Sequence, residues 1–136
     1  YKRQIGINAE IRTFFDDIPD RFAKSDLLIS RAGASSVAEL AASGRPAILI
    51  PFAGAMDDHQ TANARQLEAA GGGICLVEAE LDSTALAARI TTFLSDLPKL
   101  AAMGRGGRGL AAADAADTIA GYALDLAASG GSRSAR

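Results

Sequence analysis

The stretch Arg31-Ala32-Gly33-Ala34-Ser35-Ser36 is built mostly from small residues and separates an apolar run, Leu27-Leu28-Ile29, from a helical pattern. Unpaired N–H groups at a helix start, reinforced by the helix dipole, hold an anion such as a diphosphate. Small side chains let the phosphate reach the backbone. A tight turn with a serine cap, at Ser35 or Ser36, accounts for the same residues. The loop lacks both the full dinucleotide fingerprint and the Walker lysine. Glu39 follows Ser36 by three residues. That spacing suits a capping box, and spacing alone favours this reading. The functional reading is a carboxylate that accepts hydrogen bonds from two ribose hydroxyls.

Asp57-Asp58-His59-Gln60 and Asn63 form a second polar group. His59 and Asn63 are four apart and share a helix face, with Gln60 three before Asn63. Imidazole and amide groups suit a polyhydroxylated ligand. A solvated, Asp-capped helix start explains the same pattern. His59 is the only histidine, which excludes a multi-histidine metal site. Nothing completes a cation shell around Asp57 and Asp58. Phe14-Phe15 is either core or a place where backbone meets a base edge. Cys75 reads as a small core residue, and as the single cysteine it excludes an internal disulfide.

These residues need a frame. Ala9 to Phe14 has short-strand alternation. Asp16, Asp17 and Pro19 open a helix that ends near Ser25, with Ile18, Phe22 and Ala23 toward the core. Leu27–Ile29, Ala47–Ile50 and Ile74–Val77 are short apolar runs of the kind buried on both faces of a parallel sheet. Val37, Leu40 and Ala41 mark one face of the helix after the Gly33 loop, with Gly44 to terminate it. Helices run from Asp57 or Asp58 to Ala70, from Leu81 to Leu94, from Pro98 to about Arg105 and from Asp114 to about Ala128. A break is expected at Gly104-Arg105-Gly106-Gly107. In the last helix Ile119, Tyr122, Ala123 and Leu126 should pack on a neighbouring surface. Alternating strands and helices give an α/β fold, a Rossmann-like parallel sheet flanked by helices. Right-handed crossovers place the loops after Phe14, Ile29 and Ile50 at one sheet edge, where such sheets bind ligands.

The 136 residues are one domain's worth. Hydrophobic residues make up 49% and aromatics only 5%, so the core must be aliphatic. A net charge of −2 provides no basic face for nucleic acid. No apolar run approaches a membrane span, and a reducing, cytoplasmic setting is the expectation. Tyr1-Lys2-Arg3-Gln4 has no turn or cap signal and reads as entry into the middle of a domain. The expected organisation is a domain over 1–128, incomplete at its N-terminal end, and a disordered tail over 129–136.

Phe14-Phe15-Asp16-Asp17, Ser30 to Leu40, Gly44 to Pro51 and Asp57 to Ala64, in this order and spacing, resemble the C-terminal domain of the MurG family. The resemblance runs from about Asn8 to Val77, and more loosely to Leu126. It implies the C-terminal half of a GT-B fold and an inverting transfer of GlcNAc from UDP-GlcNAc to lipid I, giving lipid II for peptidoglycan. It implies that the Phe15 backbone holds uracil and that Gly33, Ala34, Ser35 and Ser36 cradle the diphosphate. Glu39 would bind the ribose, and His59, Gln60 and Asn63 the GlcNAc hydroxyls. No metal or cofactor is implied. The lipid acceptor, a candidate base and the peripheral contact with the cytoplasmic face of the inner membrane belong to an N-terminal domain without counterpart here. A stand-alone donor subunit of a bipartite GlcNAc transferase and a non-catalytic nucleotide-sugar-binding module are the other readings.

Overall fold

A computed structural model describes residues 8–54, 58–111 and 115–130. The order is α1 (Ile18–Lys24), β1 (Leu28–Ser30), α2 (Ala34–Ser43), β2 (Ala47–Leu49), α3 (His59–Ala69) and β3 (Gly73–Cys75), followed by α4 (Ser83–Leu94), α5 (Leu97–Gly107) and α6 (Ala115–Gly130). Short 3-10 turns lie at Glu78–Glu80 and Arg108–Leu110.

The strands form a parallel sheet in the order β1-β2-β3, with Ile29, Ile48 and Ile74 in register. Ala47, Ile48 and Leu49 of the central strand are fully buried, which explains their uninterrupted apolar run. β1 lies at an edge, so Ile29 is 45% exposed and β1 is not covered on both faces. The core is aliphatic. Val37, Leu40 and Ala41 of α2 pack with Ala64 and Leu67 of α3 over the sheet, and Phe22 rests against this cluster. Ala23 is exposed instead.

Two expectations are corrected. The segment before α1 is irregular, not a strand, and Ile11 and Phe14 are 80% and 79% exposed. Its charged residues fold it toward α1: Glu10 pairs with Arg12 and with Arg21, which also holds Asp17. A strand needs a neighbouring ladder, and no described residue supplies one. The glycines at 104–107 do not break α5, which runs through Gly107. They allow contact: a Cβ on Gly104 would strike the Gly44 carbonyl, and one on Gly107 would press on Gly72. Burial against two backbone segments overrides the weak helix propensity of glycine. The expected last helix forms as α6, with Ile119, Tyr122 and Leu126 67%, 67% and 72% exposed.

Helix ends follow local chemistry. Gly44 closes α2 at φ 62°, and its N–H donates to the Leu40 and Ala41 carbonyls. Asp82 and Asp96 cap α4 and α5 through the N–H groups of Ala85 and Lys99. Of the expected tail, Ser129 and Gly130 belong to α6, and 131–136 lie outside the described residues. Among the described residues no helix is long and apolar enough to cross a membrane.

Candidate functional site

Parallel strands bring the segments after Ser30, Leu49 and Cys75 to one edge of the sheet. At this edge α2 begins. Gly33, at φ −61° and ψ 151°, is its N-cap, and the Val37 N–H donates to the Gly33 carbonyl at 3.0 Å. Neither serine caps the helix, contrary to expectation, because the chain turns helical one residue before Ser35. The N–H groups of Ala34, Ser35 and Ser36 therefore lie in the first turn without intrahelical partners. A Cβ at Gly33 would meet only Ser36 Oγ, at 3.9 Å. The fold itself does not require glycine there, so the bare backbone leaves open approach from solvent.

The residue before this cap is held from both sides. Ala32 is fully buried. Its N–H donates to Gln60 Oε1 at 3.3 Å, and its carbonyl accepts from Asn63 Nδ2 at 3.1 Å. Gln60 Oε1 also accepts from the Phe52 N–H at 3.0 Å. One turn of α3 thus joins the loop after β1 to the loop after β2. His59 opens α3 on an exposed position, after Asp58 in the left-handed region at φ 53°. Asp58 makes no side-chain cap, and Asp57 lies outside the described residues.

Arg31 ties in the third segment. Its guanidinium donates to both Glu78 carboxylate oxygens at 2.9 Å, and to the Ile50 and Pro51 carbonyls at 3.3 and 3.2 Å. The Phe52 ring lies 5.5 Å from it. Hydrogen bonding to Arg31 holds the Glu78 carboxyl below its ordinary pKa, and the pair raises that of Arg31. Sequence reasoning missed Glu78 and Phe52. Both follow strands at the same edge, and that placement is the signal that could have found them.

Glu39 and Phe15 stand elsewhere. With Gly33 as cap, Glu39 falls in the second turn, so the capping box with Ser36 does not form. Glu39 is exposed and lines a cavity of about 560 Å³ between α1 and α2, with Ile18, Phe22, Arg45 and Arg108. Phe15 lines an adjoining hollow that shares Ile18 and Phe22. Its ring is covered by Arg21, 4.0 Å away, so it is not bare for stacking. Among the described residues no hydrogen bond uses its backbone N–H or carbonyl. The structure thus gathers Gly33–Ser36, Gln60 and Asn63 at one point, and sets Glu39 and Phe15 on either side of α1.

A family model described as the glycosyltransferase family 28 C-terminal domain matches residues 1–119. The chain belongs to this family. Among its relatives are two proteins named UDP-N-acetylglucosamine–N-acetylmuramyl-(pentapeptide) pyrophosphoryl-undecaprenol N-acetylglucosamine transferase. That of Alkalilimnicola ehrlichii is 48% identical over 91% of this chain and 35% of its own length. That of Rhodospirillum centenum is 45% identical over 96% of this chain and 34% of its own length. The chain therefore spans about a third of these curated relatives. The crystal structure of Acinetobacter baumannii MurG superimposes with a TM-score of 0.69 and 33% identity, covering 75% of this chain and 29% of that one. The family 28 fold seen here is that of the C-terminal half of a GT-B glycosyltransferase.

Proposed function

We propose that this chain is the sugar-donor-binding half of an inverting transferase that moves GlcNAc from UDP-GlcNAc to lipid I, forming lipid II for peptidoglycan. The observation that carries this reading is the start of α2. Three N–H groups without intrahelical partners, a side-chain-free Gly33 and the positive end of the helix dipole meet at the ligand-binding edge of a parallel sheet. The names of the relatives supply the sugar and the acceptor.

The chemistry follows from that placement. An acceptor hydroxyl attacks the anomeric carbon as the bond to the diphosphate breaks, so negative charge grows on the leaving UDP. Fixed N–H dipoles at Ala34, Ser35 and Ser36 stabilise that charge without reorganising. Glu39 accepts from the ribose hydroxyls, and the open backbone of Phe15 meets the uracil edge. His59, Gln60 and Asn63 face the sugar. Acceptor contacts and the general base are assigned to the part of the protein beyond this chain, as is peripheral attachment to the cytoplasmic membrane face.

The test is amide mapping by NMR during titration with UDP. The Ala34, Ser35 and Ser36 resonances should move together and saturate. Shifts confined to α4–α6, or none at 34–36, would refute the reading.

A further inference from the structure

Arg31 reaches every loop at the binding edge. Its own backbone leads into Ala32 and Gly33. Its side chain grips the carbonyls of Ile50 and Pro51, faces the Phe52 ring and makes a two-point contact with Glu78 beyond β3. A cation two residues before a diphosphate loop invites assignment as a phosphate ligand. The geometry turns the charge inward instead: both terminal guanidinium nitrogens donate to acceptors within the protein, and the Glu78 carboxylate neutralises the cation. Stability does not explain the pair either. The side chains are 48% and 43% exposed, and exposed pairs contribute little to folding. What the contact does is geometric. With the Gln60 bridge, the Arg31 contacts to the Pro51 carbonyl and the Phe52 ring close a ring through Ala32 and Phe52, and Glu78 anchors the guanidinium from beyond β3.

We propose that Arg31 and Glu78 are positioning residues that hold the Gly33 loop in its diphosphate-binding form, and that Arg31 is not itself a phosphate ligand. The proposal deepens the donor-site reading above and rests on it.

The test compares the chain with Glu78→Gln, which keeps size but loses the two-point ionic contact, and with Arg31→Lys, which keeps charge but not the planar fork. Amide hydrogen exchange is read first, without ligand. Exchange at Ala32 and Val37, whose N–H groups are bonded to Gln60 Oε1 and to the Gly33 carbonyl, should quicken roughly twofold to fivefold, the range expected for an exposed pair, while β2 amides stay unchanged. Calorimetric titration with UDP should then show weakening by a similar factor, with uridine binding and the thermal midpoint unaltered. Unchanged loop exchange would overturn the proposal. Tighter UDP binding in Glu78→Gln would also overturn it, since it would reveal Arg31 as a phosphate ligand that Glu78 restrains. Equal weakening of UDP and uridine with a lowered midpoint would reduce the pair to a general structural role. Absence of UDP binding by the unmodified chain would defeat the donor-site reading, and the exchange data would still judge the pair.

Discussion

The side-chain oxygen of Gln60 lies 3.3 Å from the backbone nitrogen of Ala32, and the same oxygen takes the Phe52 N–H at 3.0 Å. Asn63, one turn on, returns a bond to the Ala32 carbonyl. Both polar groups of a fully buried residue are thus satisfied from one face of α3. These contacts occupy the carbonyl of Gln60 and the amide nitrogen of Asn63. They leave a hydrogen-bond donor on Gln60 and an acceptor on Asn63 for a ligand.

Two substitutions separate these roles. Gln60→Glu keeps an oxygen for both N–H groups but exchanges the outward donor for negative charge. It should fold with an unchanged thermal midpoint, weaken UDP through repulsion of the diphosphate, and weaken UDP-GlcNAc further through the lost donor. Gln60→Ala leaves the buried Ala32 N–H unpaired, which costs about 1–3 kcal/mol. It should lower the urea midpoint and weaken UDP and UDP-GlcNAc alike.

Gly104→Ala should destabilise the chain by about 1–3 kcal/mol, as overpacking does, although alanine is the better helix former. Its Cβ would meet the Gly44 carbonyl. Gly109→Ala is the control, since nothing lies within 4 Å of its Cβ, and it should stay within about 0.5 kcal/mol of the parent. Urea denaturation of the two variants reads the difference.

Glu68 links pH to stability at the outer edge of β3. Partial burial works against its charge, but the Cys75 N–H at 2.9 Å and Arg65 at 2.6 Å outweigh it and hold its pKa below the ordinary value of 4.5. A carboxyl depressed in the folded state stabilises above its unfolded pKa, and that contribution is lost as pH falls through the folded value. Stability in Glu68→Gln should therefore be lower than in the parent at pH 7, by about 1 kcal/mol. The two should converge as pH falls below the ordinary carboxyl value of 4.5 and through the lower folded value. Thermal melts from pH 7 to pH 3 measure this.

The sheet was legible because β2 and its neighbours are apolar runs too short for helices, and Gly44 marks an end that only a left-handed residue makes. The segment at Ala9–Phe14 misled because Glu10-Ile11-Arg12 alternates like a strand, while its charges serve Arg21 and Arg12. Alternation records side-chain pattern, not whether a ladder partner exists. The Gly104–Gly107 stretch misled for the opposite reason, since its value lies in what packs against it. At the site, small residues announced the α2 start, but the capping residue was displaced to Gly33 and the Glu39–Ser36 box dissolved with it. Glu78 was invisible because its partner lies 47 residues away. Spacing rules see neighbours on one helix, not groups joined by a sheet edge.

Glu39 carries the ribose contact of the proposed donor site. It is exposed on α2 and faces the cavity between α1 and α2, so Glu39→Ala should leave the thermal midpoint within about 2 °C of the parent. The measurement is calorimetric titration of the parent and this variant with UDP-GlcNAc and UDP-glucose. A donor site at this edge requires saturable binding that favours UDP-GlcNAc, weakened about tenfold or more in the variant through loss of charged hydrogen bonds to the ribose. A folded parent that binds neither nucleotide sugar, or a variant that binds as tightly as the parent, would contradict it.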